Sequence, residues 1–234
     1  MSLEGSAKIH QRSFEKDLDE INRELTLLGE MVEKAISSAI LSLKDRNSSL
    51  AKEVIRGDRV IDEQELKIDK LCIKYLALKQ PKAQDLRFVT SVMKIINELE
   101  RMGDCAESIA RQAMFLATKP AWRPLINIPK MAEITEEMVR DCLDAFMKHD
   151  ELLAQQVIKR DEEVDQLQGL IYKNLLQDMI QDVNNIERAS SLLLVSSKLE
   201  RIADQATNIC EDVIYIVSGK IVRHKDKIQL EIPL

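Results

Sequence analysis

The sequence predicts an all-α protein built as two tandem three-helix bundles, related by internal duplication. The 234-residue chain contains only six glycines and five prolines, so few residues in it favour turns. Its apolar residues recur at steps of three and four, as on the buried face of a helix. A short phrase also occurs twice, as Leu-Glu-Arg-Met-Gly-Asp at 99–104 and as Leu-Glu-Arg-Ile-Ala-Asp at 199–204.

Three long helices are predicted in the first half of the chain. An apolar stripe over residues 14–43 predicts the first helix, and the Asn and Ser residues at 45–49 favour a helix cap after it. A second helix is predicted over about residues 50–80, where Pro81 prevents its continuation. A third helix is predicted over about residues 83–118.

The second half predicts three more helices after a linker. Residues 119–129 hold three of the five prolines and the only tryptophan, a composition typical of a connection between domains. Helices are predicted over about 131–148, 151–181 and 185–217, and Gly219 is placed to cap the last of them. The predicted organisation is a first repeat at 9–118, a linker at 119–129, a second repeat at 130–219 and a C-terminal tail at 220–234.

The two halves align as repeats. Residues 55–62 match residues 158–165 with a shift of 103, and residues 100–104 match residues 200–204 with a shift of 100. The three residues lost between these segments fall at a predicted turn, which is where a deletion is tolerated.

Composition excludes several classes of protein. The net charge of −6 argues against a nucleic-acid backbone as the main partner. No apolar run is long enough to cross a membrane, and the first residues do not resemble a signal peptide. The four cysteines lie far apart in apolar helical stretches, so we expect buried, reduced thiols and a cytoplasmic location.

The duplicated phrase carries pairs of acidic residues spaced four apart, which stacks two carboxylates on one face of a helix. Each half has two such pairs; they are Asp58/Asp62 and Glu100/Asp104 in the first half, and Asp161/Asp165 and Glu200/Asp204 in the second. Because the second and third helices of each repeat should pack antiparallel, both pairs of a repeat should lie at a similar height. Clustered oxygen ligands favour Fe, Mn, Mg or Ca over a tetrahedral zinc site.

An ordinary interpretation competes with the metal site. Charged residues make up 32% of the chain, and on this interpretation the acid pairs are simply solvated helix faces. Arg101 and Arg201 follow the glutamates, either as neutralising partners or as surface residues. A ferritin-like di-metal site is excluded, because none of the three histidines has a glutamate three positions earlier. No nucleophile with a partner base and no glycine-rich phosphate loop accompanies the acid pairs, so an enzyme is not expected.

These motifs are similar to those of the PhoU family, the phosphate-signalling regulators of bacteria and archaea. The family motif, close to L-E-R-I-G-D-x-A-x-N-I-A-E, resembles residues 99–111 and again residues 199–211. The family's Q-P-x-A-x-D-L-R turn is present at residues 80–87, and residues 219–224 resemble the family's ending. The resemblance extends over about residues 9–224.

The resemblance implies a fold of two three-helix bundles and metal clusters at the eight carboxylates of the four acid pairs, with Asn208 and Glu211 added in the second motif. The ions would be divalent or trivalent (Fe, Mn, Mg, Zn or Ca). It also implies a cytoplasmic negative regulator of the phosphate-starvation response. The implied partners are the ATPase subunit of the high-affinity phosphate transporter, the sensor histidine kinase and a second copy of the chain.

The first motif departs from the family pattern at two positions. Ser108 replaces the preferred Asn, and Arg111 replaces the preferred Glu, whereas the second motif keeps Asn208 and Glu211. Arg111 falls close to the direction of Glu100 on the helix and can reach the first site. We therefore expect tighter metal binding in the second half.

Two other functions stay open: a structural helical adaptor with solvated acidic faces, and a metal store or metal-dependent enzyme.

Overall fold

The computed structural model describes residues 3–122, 127–222 and 230–231, with side chains for residues 16–122 and 127–222. The predicted linker and tail fall partly outside these residues. The described residues form six α-helices, which confirms the predicted fold class; they are α1 (Leu3–Lys44), α2 (Ser48–Lys79), α3 (Ala83–Ala117), α4 (Asn127–Lys148), α5 (Glu151–Gln181) and α6 (Ile186–Ser218). A single 3₁₀ turn, Val183–Asn185, precedes α6, and β1 (Lys220–Ile221) pairs antiparallel with β2 (Leu230–Glu231).

Helix α4 begins at Asn127, four residues before the predicted start at Met131. The prediction treated Pro129 as part of the linker. Pro129 lies in the first turn of α4, where a backbone N–H has no partner within the helix, so a proline costs little there.

The duplication is visible in backbone conformation. Arg46 and His149 occupy equivalent positions between the first two helices of each repeat, and both are left-handed, with φ of 53° and 50°. The next residues, Asn47 and Asp150, are the N-caps of α2 and α5, and each side chain accepts hydrogen bonds from two backbone N–H groups of the following helix. Gly219 caps α6 with a φ of 72°, as predicted.

The repeats pack against each other mainly through α3 and α6, which contact each other more extensively than any other pair of helices among the described residues. Lys94 Nζ lies 2.9 Å from Asp212 Oδ1, and Lys119 Nζ lies 2.6 Å from Glu187 Oε2. The first ion pair joins the first half of α3 to the end of α6, and the second joins the residues just after α3 to the beginning of α6. The two helices therefore run antiparallel.

A second antiparallel contact joins α1 to α4. Arg140 Nε lies 3.4 Å from Glu33 Oε1, and a methyl group placed on Gly29 would lie 2.9 Å from Leu143 Cδ2. Both contacts cross between the repeats, and the buried apolar side chains of all six helices form one continuous core. The two repeats are therefore packed side by side around a pseudo-two-fold axis, which the sequence did not predict.

The four cysteines are buried and free of disulfides, as predicted. Burial raises the pKa of the Cys72 thiol to about 12, so this thiol stays protonated. A hydrogen bond with Cys210, together with burial, raises the pKa of Cys142 well above its usual range.

A buried carboxylate joins α1 to α2. The side chain of Glu24 is only 8% exposed, and its Oε2 accepts hydrogen bonds from Lys67 Nζ at 2.5 Å and from Gln64 Nε2 at 2.9 Å. Gln64 Nε2 also donates to the backbone carbonyl of Glu24 at 3.0 Å. The hydrogen bond from Lys67 is the main reason why the pKa of Glu24 falls from 4.5 to about 2.

We predict that Glu24→Gln lowers the free energy of unfolding at pH 7 by about 1–2 kcal/mol, allowing for the half-exposed Lys67. Because the pKa of Glu24 is lower in the folded state, its contribution is complete above about pH 4.5 and is lost as the pH falls towards 2. Urea denaturation at several pH values should show the difference between variant and native chain shrinking from pH 5 to pH 3. A difference that does not change with pH would contradict this account, and Glu30→Gln, at an exposed position of α1, is the control.

Candidate functional site

The two acid pairs of the first repeat face each other across the seam between α2 and α3. A methyl group placed on Gly103 would lie 3.4 Å from Asp58 Oδ1, so the Asp58 carboxylate of α2 reaches the backbone of α3 one residue before Asp104. The two acid pairs of the first repeat therefore lie at a similar height along the helices. We call this seam the first acidic groove; it consists of Asp58, Asp62, Glu65, Glu100, Asp104 and Glu107.

The carboxylates of the first acidic groove repel one another. Burial and then the negative charges of Asp62, Glu107 and Asp104 raise the pKa of Asp58 from 3.8 to about 6. The pKa of Glu100 is raised by burial first and then by Asp104 and Asp62, and the pKa of Asp62 by burial and then by Asp104. Each shift has the direction expected for a group that lacks a sufficient positive partner.

Arg111 supplies part of the positive charge that these carboxylates lack. Its Nη2 lies 2.5 Å from Glu107 Oε1, and its charge lowers the pKa of Asp58, opposing the larger effects of burial and the neighbouring carboxylates. The prediction that Arg111 reaches the first site is confirmed. Arg101 points elsewhere, because its Nη1 lies 3.6 Å from Glu98 Oε1.

The predicted site omitted Glu65 and Glu107. The electrostatic coupling of Glu107 to Asp58 and Asp62 shows that it belongs to the groove, and the coupling of Glu65 to Asp62 shows the same for Glu65. The prediction relied on acidic residues that occur in both repeats. Glu107 was missed because the equivalent residue of the second repeat is Thr207. Helical spacing alone signals Glu107, since it lies three residues after Asp104.

The second repeat carries its two acid pairs on two helices that pack against each other. Asp161 and Asp165 lie on α5, and Glu200 and Asp204 lie on α6. We call this seam the second acidic groove; it consists of Asp161, Asp165, Glu200, Asp204, Asn208 and Glu211. Asp161 is the most buried carboxylate of the set, only 4% exposed, whereas Asp204 is exposed.

Oxygen donors dominate both grooves, which suits hard cations, and the mutual repulsion in the first groove is what a bound cation would relieve. The residues present therefore fit the metal ions that the family resemblance implies. Among the described residues, no three His, Cys, Asp or Glu side chains already converge into a ligand set.

Beneath the grooves, the two repeats differ in which of the two packed helices carries an additional methyl group. A methyl group on Gly103 would lie 3.2 Å from both Ile61 Cδ1 and Ile61 Cγ2, so the Ile61 side chain would have to shift to admit it. The equivalent pair in the second repeat is Ala203 with the smaller Val164, and both are fully buried. Each repeat thus keeps a similar total side-chain volume at this contact while dividing it differently between the helices.

Comparisons with known proteins agree with this geometry. The model of the PhoU domain matches residues 25–113 and again residues 128–213, which together include the four acid pairs. The chain belongs to the PhoU family. The resemblance found in the sequence is therefore confirmed, and it covers both repeats.

Named relatives and solved structures of the PhoU family support this assignment. The phosphate-specific transport system accessory protein PhoU homolog of Aquifex aeolicus is 42% identical, over 90% of this chain and 95% of its own. The phosphate-specific transport system accessory protein PhoU of Escherichia coli is 36% identical, over 90% of this chain and 88% of its own. Crystal structures of PhoU from Pseudomonas aeruginosa (TM-score 0.86, 35% identity, 88% of this chain and 99% of that one) and Streptococcus pneumoniae (0.84, 31%, 90% and 100%) have the same fold.

None of the described helices combines the length and the low charge that crossing a membrane would require. This observation agrees with the sequence, in which no long apolar run occurs.

We predict that Gly103 and Ile61 are energetically coupled. Gly103→Ala should bring little of the roughly 1 kcal/mol by which Ala favours a helix over Gly, because its methyl group meets Ile61. Ile61→Val should cost about 1 kcal/mol alone. The double variant, which copies the second repeat, should be more stable than the two single effects predict by about 1 kcal/mol.

Urea denaturation of the four chains completes the double-mutant cycle. Strictly additive effects would show that the seam tolerates the methyl group without Val at position 61. The matched control is the reverse exchange in the second repeat, Ala203→Gly with Val164→Ile.

Proposed function

We propose that this protein is an accessory regulator of phosphate uptake that connects a high-affinity phosphate transporter with its sensor histidine kinase. The observation that carries the proposal is the match of both repeats to the PhoU domain, together with relatives named as accessory proteins of the phosphate-specific transport system. In this role the protein restrains the phosphate-starvation response while the transporter is supplied with phosphate. It needs no catalytic step, and a cytoplasmic location follows from contact with an ATPase subunit and a kinase domain.

The outer helices offer surfaces for such partners. Ile73 of α2 and Leu176 of α5 are equivalent positions of the two repeats, and both side chains are exposed, by 51% and 41%. Ile180, one turn further along α5, is 77% exposed. Exposed apolar residues on long helices are typical of surfaces that dock against a partner. Homodimerisation, which the family resemblance implies, stays a prediction.

Metal ions belong to the same proposal. Asp58, Asp62, Glu100 and Asp104 would hold an ion in the first acidic groove, with matching residues in the second. The ion would supply positive charge that cancels the repulsion between carboxylates of neighbouring helices. Aspartate and glutamate side chains rotate readily where they are exposed, so the ligands can be gathered on binding.

The grooves should differ in affinity. In the first acidic groove Arg111 forms an ion pair with Glu107 and adds a positive charge. Both effects disfavour the binding of a metal cation there. The equivalent residue of the second acidic groove is Glu211, and Asn208 supplies an amide oxygen where the first repeat has Ser108. We therefore propose that the second acidic groove binds metal more tightly.

We predict that the purified protein is retained by an immobilised transporter ATPase subunit, by the cytoplasmic part of the sensor kinase, or by both. Burying Ile73 or Leu176 against a partner is worth about 1–2 kcal/mol, so Ile73→Glu or Leu176→Glu should weaken retention about tenfold. The measurement is a pull-down in high and in low phosphate. Glu30→Gln, at an exposed position of α1, is the control.

Failure to bind either partner in both phosphate conditions would contradict the regulatory proposal. Turnover of a phosphate ester or a reductant, lost in Asp104→Ala, would instead support a metal-dependent enzyme.

We predict that protein purified without chelator or affinity metal contains bound metal. Asp62→Ala/Asp104→Ala should remove the metal of the first acidic groove, and Asp165→Ala/Asp204→Ala that of the second. Elemental analysis of the native chain, both variants and their combination gives the content of each groove. Absence of metal from the native chain, even after soaking with Fe, Mn and Zn, would favour solvated acidic faces.

The order of affinity is tested with the same variants. Titration of each remaining groove should give the second the smaller dissociation constant, and Arg111→Glu should tighten the first groove by about tenfold. Equal or reversed affinities would contradict the proposed difference.

A further inference from the structure

The end of the molecule where the repeats are joined contains a cavity of about 280 Å³. Its walls come from the end of α1, the end of α3, residues 120–122 and the beginning of α6. A second cavity, of about 370 Å³, lies between α1, α4 and α6 and shares Leu43, Lys44 and Pro129 with the first. We call the first of these the junction cavity. It is remote from both acidic grooves in sequence and lies in different seams.

Positive charge distinguishes the junction cavity. Lys44, Arg46 and Arg188 line it, and no Asp or Glu within the described part of the chain does, although the sequence has 40 acidic residues against 34 basic ones. Among the described residues, none of these three cations forms an ion pair with a carboxylate, whereas Lys119, close by, pairs with Glu187 at 2.6 Å. Three cations beside one apolar cavity, without carboxylate partners, indicate an anionic ligand.

Two of these cations are held in place. The Arg46 guanidinium donates to the backbone carbonyls of Leu116, Ala117 and Lys119, at the end of α3. Arg188 donates from Nη2 to Oδ1 of the buried Asn185 at 2.8 Å, and its guanidinium lies 5.3 Å from the centre of the Trp122 ring. Arg188 also lies in the first turn of α6, where the helix dipole adds to the positive potential.

The remaining walls are apolar and partly flat. Trp122, Pro120 and Pro129 offer planar or rigid surfaces, and Leu43, Leu116 and Leu192 complete the lining. A volume of about 300 Å³ or more, an apolar lining and a few charged groups are the usual features of a site for a small organic ligand.

The opposite end of the molecule is built differently. The residues equivalent to Arg188 and Leu43 are Phe88 and Phe146, whose rings stack with centroids 6.1 Å apart. The residue equivalent to Arg46 is His149, whose ring centroid lies 6.4 Å from that of Phe146. Aromatic side chains therefore fill this end, while the junction end keeps a cationic cavity, so the fold itself does not require the cavity.

We propose that the junction cavity binds a nucleoside diphosphate. The base would lie against the apolar wall near Trp122, and the diphosphate would meet Arg188 and Lys44, with the fixed charge of Arg46 nearby. Three cations match the several negative charges of a diphosphate better than the single charge of a carboxylate, and guanidinium groups match phosphate geometry. This inference is independent of metal binding in the acidic grooves.

Trp122, the only tryptophan of the chain, provides a direct test. Titration with ADP should change its fluorescence in a saturable way, with a dissociation constant below about 1 mM, and calorimetry should give the same constant. Adenosine and inorganic phosphate should each bind at least about tenfold more weakly than ADP. No saturable signal with ADP by either method, or equal binding of inorganic phosphate, would overturn the proposal.

Variants locate the binding. Arg188→Gln/Lys44→Gln should weaken ADP binding at least about tenfold. Leu43→Phe, which copies the opposite end of the molecule, should weaken it by filling the cavity without changing charge. Lys119→Gln removes a nearby cation that does not line the cavity and should leave the affinity unchanged. Unaltered ADP binding in Arg188→Gln/Lys44→Gln, with native circular dichroism, would place the nucleotide elsewhere and overturn the assignment.

Discussion

The antiparallel contact of α3 with α6 is the interaction on which the rest of the molecule depends. The duplicated phrase lies in these two helices and divides its residues between their two sides. Leu99 and Leu199 are fully buried, whereas Arg101, Asp104, Arg201 and Asp204 are exposed. Since the inner faces of α3 and α6 form the centre of the core, the carboxylates are left for the outer seams with α2 and α5. The acidic grooves are therefore a consequence of how the central pair is buried.

Two carboxylates, the buried Glu24 and the half-buried Asp58, show how differently this chain treats negative charge between its helices. Glu24 is surrounded by donors, and the hydrogen bond from Lys67 lowers its pKa to about 2. Asp58 is surrounded by other carboxylates and by apolar groups, and burial raises its pKa to about 6. The first arrangement stabilises the fold, whereas the second weakens it at neutral pH. An arrangement that costs stability is expected where a protein performs its function.

Local periodicity predicted much of this structure. The helix ends at Lys44, Lys79 and Gln181 follow from the loss of the apolar stripe, from Pro81 and from polar turn residues, and Gly219 follows from the need for a left-handed cap. The height of the acid pairs followed from antiparallel helices joined by a short turn. These inferences succeed because each depends on residues close together in sequence.

Contacts between distant residues were not predictable in the same way. To predict that Arg188 lies beside Trp122, or Glu33 beside Arg140, one must know how the repeats pack. The sequence of either repeat carries no signal for that packing. The membership of Glu107 in the first acidic groove was missed because Thr207 breaks the duplication on which the prediction relied. The early start of α4 was missed because a proline within a first helical turn looks like a linker residue.

The pseudo-two-fold packing has a consequence for how such a chain evolves. Helices of the two repeats pair α3 with α6 and α1 with α4, which is the arrangement of a symmetric homodimer whose subunits have been joined end to end. In a true homodimer every substitution appears on both sides of the axis at once. In one continuous chain the two sides can differ, and Phe88 at one end opposite Arg188 at the other is such a difference. A single chain thus lets the two ends of one symmetric framework carry separate chemical identities.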